Sequence, residues 1–116
     1  MVCFICYPKC TTCQKAQAWL DKNGIEYKMR NIKEENPSYD EIKAWHEISE
    51  LDIKRFFNTS GLLYKSLELK DKLDYLRKDE KIELLSKDGM LVKRPILVGE
   101  DFVLVGFKEK EWEEKL

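Results

Sequence analysis

Two cysteines with two residues between them stand where a short apolar run gives way to a helical pattern, and this placement constrains the fold more than any other feature. Val2-Cys3-Phe4-Ile5-Cys6-Tyr7 is apolar throughout, the pattern of a strand buried on both faces. Pro8 stops it. Cys10-Thr11-Thr12-Cys13 then leads into a helix over residues 11–23, in which Cys13, Ala16, Trp19 and Leu20 recur at helical spacing and Asn23-Gly24 closes the C-terminus. Ile25 to Ile32 alternates apolar and polar residues, the period of a second strand. The chain thus predicts a β-α-β unit with parallel strands and a right-handed crossover, its helix opening at the cysteine pair.

Further along, Asn36-Pro37-Ser38 is a helix-start signal with Glu41 placed for a capping box on Ser38. Tyr39, Ile42, Trp45, Ile48 and Leu51 follow at intervals of three, and Ile53, Phe56 and Phe57 anchor a second short helix that Asn58-Thr59-Ser60-Gly61 breaks. From Leu67 to Lys87 the pattern predicts two or three short helices with charged faces, anchored by Leu69, Leu73, Leu76, Ile82, Leu84 and Leu85. Residues 89–95 read as a connector. Ile96-Leu97-Val98 and Phe102-Val103-Leu104-Val105 flank Gly99-Glu100-Asp101 as a hairpin. Lys108 to Leu116 is a terminal helix with Trp112 facing inward. The order β-α-β, helices, β-β-α is the thioredoxin arrangement: an α/β fold with a four-stranded mixed sheet and a helical insertion. In that arrangement Pro95 is a cis-proline candidate whose preceding backbone lies beside the cysteines; a trans proline at the first residue of a strand is the alternative.

Composition removes several functions. With 21 Lys+Arg against 22 Asp+Glu the net charge is −1, so there is no electrostatic footprint for direct nucleic-acid binding. No apolar run approaches the ~20 residues that span a bilayer, and the N-terminus lacks a basic region and a small-residue cleavage site. A cytoplasmic location is therefore expected, where thiols stay reduced and four cysteines point to redox chemistry or metal before a structural disulfide framework. The one histidine, His46, excludes a zinc site built on His-x-x-x-His and lies in a helical context with no nucleophile elbow. Neither a Walker loop nor a G-x-G-x-x-G is present.

The cysteine pair carries the chemistry. The first turn of a helix presents unpaired N–H groups and the positive end of the dipole, and both favour thiolate over thiol at Cys10. Cys10 is the expected nucleophile, and Cys13, one turn on, is placed to resolve a mixed disulfide. Arg94, immediately before Pro95, with Thr11 and Thr12 between the cysteines, forms the candidate anion-binding set; the competing role for Arg94 is a surface ion pair. Lys9 and Lys15 flank the helix start as solvated cations. Asn58, Thr59 and Ser60 read as local backbone caps, and Trp19, Trp45 and Trp112 as core. Cys3-x2-Cys6-x3-Cys10-x2-Cys13 also has the spacing of a zinc or iron–sulfur set. The favoured reading is no metal, with Cys3 and Cys6 buried on opposite faces of the first strand.

Taken together, these residues resemble the arsenate reductase-like ArsC/Spx family, and its small YffB-like and Spx/MgsR-like members in particular. The resemblance rests on Tyr7-Pro8-Lys9-Cys10-Thr11-Thr12-Cys13-Gln14-Lys15-Ala16 with Trp19-Leu20, on Phe57-Asn58-Thr59-Ser60-Gly61-Leu62-Leu63-Tyr64, and on Asp88 to Val98 with Val105-Gly106-Phe107. It spans nearly the whole chain, which is expected to form one domain over residues 1–116. It implies a thioredoxin-like fold and Cys10 as the reactive cysteine. Arsenate reductases of this fold hold the oxyanion with three arginines. Arg94 matches one, Ser60 stands in the place of another, and the third place falls near Gly106 and Phe107. At roughly 1.5–3 kcal/mol per charged hydrogen bond, efficient arsenate reduction is not expected. The resulting expectation is a thiol–disulfide oxidoreductase without a bound cofactor, with glutathione, another low-molecular-weight thiol, or a thioredoxin- or glutaredoxin-type protein as reductant. The alternative is a redox-switched regulator that binds the RNA polymerase α subunit. Such regulators carry a C-x-x-C, and their contact surface includes a glycine where this chain has Asp52.

Overall fold

The computed structural model describes residues 1–116. The N-terminal unit consists of β1 (Val2–Cys6), α1 (Thr11–Lys22) and β2 (Tyr27–Asn31). β1 is the apolar run, with Phe4, Ile5 and Cys6 almost wholly buried. β1 and β2 pair in parallel, Val2 opposite Tyr27 through Cys6 opposite Asn31. The first helix ends at Asn23, whose side-chain amide donates to the Trp19 carbonyl at 2.8 Å, and Gly24 follows at φ 66°, in the left-handed region that glycine enters without strain. β2 is shorter than the alternating stretch of sequence and lies at a sheet edge, which leaves Met29 42% exposed.

The insertion begins with α2 (Tyr39–Ser49). Its capping box forms as read from the sequence: Glu41 N–H donates to Ser38 Oγ at 3.1 Å, and Ser38 N–H donates to Glu41 Oε1 at 3.0 Å. Ile42 and Trp45 are buried, but Ile48 is 45% exposed. The reason is geometric: a spacing of three falls behind the 3.6-residue turn, so each successive position rotates away from the core. A 3₁₀ turn at Ile53–Phe56 follows, and its Ile53 and Phe56 are buried together with the adjoining Phe57. Then come α3 (Leu62–Ser66), α4 (Leu69–Lys72), a 3₁₀ turn at Leu73–Tyr75 and α5 (Lys78–Lys87). No sequence pattern marks an element over residues 62–66. α3 is five residues long, and its single buried anchor, Tyr64, gives no periodicity to detect.

The connector also differs from its sequence reading. It contains a 3₁₀ turn at Gly89–Leu91 and buries Leu91 and Val92. Val92 forms an isolated antiparallel bridge with Phe57. A Cβ at Gly89 would collide with the Ile32 carbonyl, so only glycine permits this close approach. The hairpin β3 (Ile96–Val98) and β4 (Val103–Val105) then completes the sheet, with β3 antiparallel to both β1 and β4, in the order β2-β1-β3-β4. The last helix, α6 (Glu109–Lys115), brings Trp112 to full burial. This is the thioredoxin-like four-stranded mixed sheet with its helical insertion.

The sheet separates two apolar layers. Ile5, Ile96 and Val105 face the insertion, where they meet Ile42, Phe56 and Leu85. Phe4, Leu97 and Leu104 face Ala16 and Leu20 of α1 and Trp112 of α6. The alternation of the strand pleat produces this division.

One ion pair ties β2 to α2. Arg30 donates to both oxygens of Glu41, at 2.6 and 2.9 Å. This guanidinium, with the Ser38 backbone amide contributing less, lowers the Glu41 carboxyl from 4.5 to about 2 against the opposing effect of burial. A depressed carboxyl stabilises the fold fully above its unfolded value, and that contribution disappears as pH falls from 4.5 toward 2. Glu41 is 37% exposed, so screening limits the pair to about 1 kcal/mol. Urea titrations of Glu41→Gln are expected to show that loss at pH 7 and a flatter stability profile below pH 4.5. An unchanged acid limb would show that the pair contributes nothing.

Candidate active site

Cys10 occupies the N-cap of α1, with φ −86° and ψ 124° and no side-chain capping bond. Its amide donates back to Tyr7 O at 2.9 Å, and the first helical bond runs from Gln14 N to Cys10 O at 3.0 Å. The amides of Thr11, Thr12 and Cys13 therefore have no partner within the helix. Cys10 is partly exposed, whereas Cys13 is buried at 2% exposure. Tyr7 N–H donates to Cys13 Sγ at 3.4 Å, which holds that sulfur against the end of β1.

The four thiols fall into two groups. Cys3 points into the insertion-side layer, and burial raises its pKa. Cys6, Cys13 and Cys10 meet on the α1 side. The Cys13 thiol is held far above its ordinary value, first by the neighbouring Cys6 sulfur and then by burial. Cys6 is lowered by its interaction with Cys13, against burial. No group of three or more His, Cys, Asp or Glu side chains is arranged to hold a metal ion, and the four-thiolate set is not assembled because Cys3 lies across the sheet.

A cleft of about 580 Å³ opens at Cys10. Thr12, Asn58, Ser60, Asp88, Lys93 and Arg94 supply its polar wall, and Leu62, Leu63 and Met90 its apolar one. The Arg94–Pro95 peptide is cis. The Arg94 guanidinium lies 5.3 Å from the Tyr7 ring centroid and donates from Nη1 toward the Met90 and Val92 carbonyls at 3.4 and 3.5 Å. Its Nε is buried without a partner. Arg94 makes none of the ion pairs found in the molecule. The surface-pair role weighed for it in the sequence is therefore not the one it takes.

The structure brings Cys10, Thr12 and Arg94 to one cleft, with Cys13 directly behind. Thr11 is exposed on the first turn and does not line the cleft, because successive helical residues diverge by about 100°. Lys9 and Lys15 also lie outside it. Asn58 and Ser60, read as local caps, do bond each other at 3.4 Å, yet they also form its rim. Lys93 was not singled out in the sequence; its position next to Arg94, in the segment approaching the cis bond, was the available signal. Lys93 and Thr12 also border a second depression lined by Arg55, Lys108, Gly106 and Phe107. Cations thus flank the helix start on both sides, although Ser60 and Gly106 carry no charge themselves.

Known proteins share this fold and much of this sequence. The ArsC family model matches residues 6–115. YusI of Bacillus subtilis (strain 168) is 51% identical over 111 residues, covering 96% of this chain and 94% of YusI. The global transcriptional regulator Spx of Listeria monocytogenes (serovar 1/2a) is 37% identical over 111 residues, covering 96% of this chain and 83% of Spx. Among solved structures, the crystal structure of an ArsC family related protein from Bacteroides fragilis superimposes with a TM-score of 0.96 at 53% identity, covering 97% of this chain and 95% of that one. Fold and sequence agree over nearly the full length, and the chain belongs to the ArsC family.

Proposed function

We infer that the protein is a thiol–disulfide oxidoreductase in which Cys10 is the nucleophile and Cys13 the resolving thiol. The observation that carries this reading is the pairing of a partly exposed sulfur at an uncapped helix N-terminus with a buried, protonated sulfur one turn behind it. Unpaired amides and the positive end of the helix dipole lie at the N-cap position that Cys10 occupies. The reaction begins when the Cys10 thiolate attacks a disulfide substrate, forms a mixed disulfide and expels one thiolate. Cys13 then gives up its proton, attacks the Cys10 sulfur and expels the second thiolate, leaving a Cys10–Cys13 disulfide. Arg94 and Lys93, two cations against the single carboxylate of Asp88, favour an anionic substrate such as glutathione disulfide, and Thr12 offers a hydroxyl on the cleft wall. External thiol, either glutathione or a thioredoxin- or glutaredoxin-type protein, restores the reduced pair.

Cys13→Ser tests this order of events. After exposure to oxidised glutathione, the variant is expected to accumulate one glutathione on Cys10, seen by intact mass and peptide mapping, while the parent protein shows an internal disulfide. Absence of glutathione from Cys10 in the variant would overturn the assignment of nucleophile and resolver.

The similarity to Spx supports a second reading, a redox-switched regulator of the RNA polymerase α subunit. Here Asp52 caps the 3₁₀ turn by accepting from Lys54 N–H at 2.9 Å, a structural role at a position where the regulators present glycine. Pull-down with the isolated α C-terminal domain, in oxidised and reduced protein, discriminates the two readings: redox-dependent retention supports the regulator.

A further inference from the structure

Three sulfurs, not two, meet beneath the cleft. Cys6 closes β1, and its backbone is fixed by the Ile32 amide, which donates to Cys6 O at 2.8 Å, and by its pairing with Asn31. Its side chain faces α1 and is 99% buried in the same cluster as Cys13, Ala16 and Trp112. Cys13 Sγ accepts from the amide of Tyr7, the residue next to Cys6, so the helix start and the strand end are joined at this sulfur. Cys10 packs against this same cluster from its partly exposed rim. A strand end in an apolar layer needs only a small hydrophobe at this position; a thiol buried in the same cluster as Cys13, beside the residue whose amide binds the Cys13 sulfur, adds chemistry.

We propose that Cys6 is a third redox thiol of this site, which takes over the disulfide from Cys10 and stores it in the core as Cys6–Cys13. The proposal rests on the thiol–disulfide reading for how Cys13 becomes oxidised. Starting from the Cys10–Cys13 disulfide, Cys6 loses its proton and its sulfur attacks Cys13 Sγ. The Cys6–Cys13 bond forms, the Cys10–Cys13 bond breaks, and Cys10 leaves as a thiolate that takes up a proton. The number of oxidised sulfurs is unchanged, and no further oxidant enters. The outcome is a protein that is oxidised internally while its surface nucleophile is free again, so that Cys10 engages a second substrate molecule or partner thiol.

Peptide mapping reads the exchange directly in the intact chain. Trypsin cuts after Lys9 and Lys15, so a Cys10–Cys13 bond stays inside one peptide whereas Cys6–Cys13 joins two. The parent protein and Cys6→Ala are oxidised with oxidised glutathione, quenched in acid, alkylated and digested. In the parent, the one-peptide disulfide is expected to appear first and then give way to the joined peptides with Cys10 alkylated. Cys6→Ala is expected to stop at the one-peptide form and to be reduced by dithiothreitol at least about tenfold faster, because its disulfide stays at the surface. Only the one-peptide disulfide in both proteins would overturn the proposal while leaving the oxidoreductase reading intact. Absence of the one-peptide disulfide from both would overturn that reading and this one with it.

Discussion

Replacing Cys10 with serine is expected to abolish thiol–disulfide turnover and, in the same molecule, to stabilise the fold. The hydroxyl is a poor nucleophile toward sulfur and is not ionised at neutral pH, so loss of the attacking group removes about a thousandfold or more of the rate. The same position is the N-cap of α1, where the native cysteine makes no capping bond. Serine is among the preferred N-caps, and its oxygen accepts from the amides of the first turn; such a bond is worth about 0.5–2 kcal/mol. Disulfide reduction assays and urea unfolding of the one variant measure both effects. Retained turnover would move the nucleophile elsewhere. A loss of stability would mean that the uncapped amides are already satisfied, removing the electrostatic basis for a reactive sulfur. The two outcomes together express a trade in which the helix end is left unsatisfied where chemistry needs it.

Truncating Trp112 to alanine is expected to have the largest effect on stability, a loss of about 3–5 kcal/mol. The indole is fully buried, and its Nε1 donates to the Gly106 carbonyl at 3.1 Å. It packs edge-on against Phe4, Trp19 and Phe107, with ring centroids 6.3, 6.0 and 4.9 Å away. It thereby joins α6 to α1 and to the central strand. Removing it opens a cavity, leaves a carbonyl acceptor unpaired and frees the terminal helix. The denaturation midpoint in urea measures this. A shift below 1 kcal/mol would show that α6 is dispensable to the layer it covers. Trp112→Phe, which keeps the edge contacts but loses the hydrogen bond, is expected to fall between the two.

Much of this architecture was readable from the chain. Val2–Cys6, the amphipathic α1 and the Ser38–Glu41 box follow from strong local signals, and the structure realises each of them. The terminal helix and its inward tryptophan follow in the same way. What the sequence hid depends on contacts between distant segments. Residues 62–66 form a helix because Tyr64 packs on Phe57, at 6.3 Å between centroids, not because of any repeat of their own. The connector over 89–95 is ordered by the fit of Gly89 against the Ile32 carbonyl and by the bridge from Val92 to Phe57. Placement around the candidate cleft follows the same rule: the positions of Cys10, Cys13 and Arg94 are legible because each borders a strong local element, whereas Lys93, Asn58 and Ser60 gain their place on the cleft only when the insertion folds back. Cys6 was legible as buried but not as a neighbour of Cys13, since that contact depends on the angle at which α1 crosses β1.

The pairing of residues 3–5 with residues 96–98 places almost the entire chain between the two central strands. Closing so long a loop is entropically costly and slows folding. During synthesis, the cysteines leave the ribosome long before the arginine that completes their cleft. The nascent N-terminal segment therefore carries its four cysteines before their fold is complete, and refolding yields are expected to be higher with dithiothreitol than without a reductant.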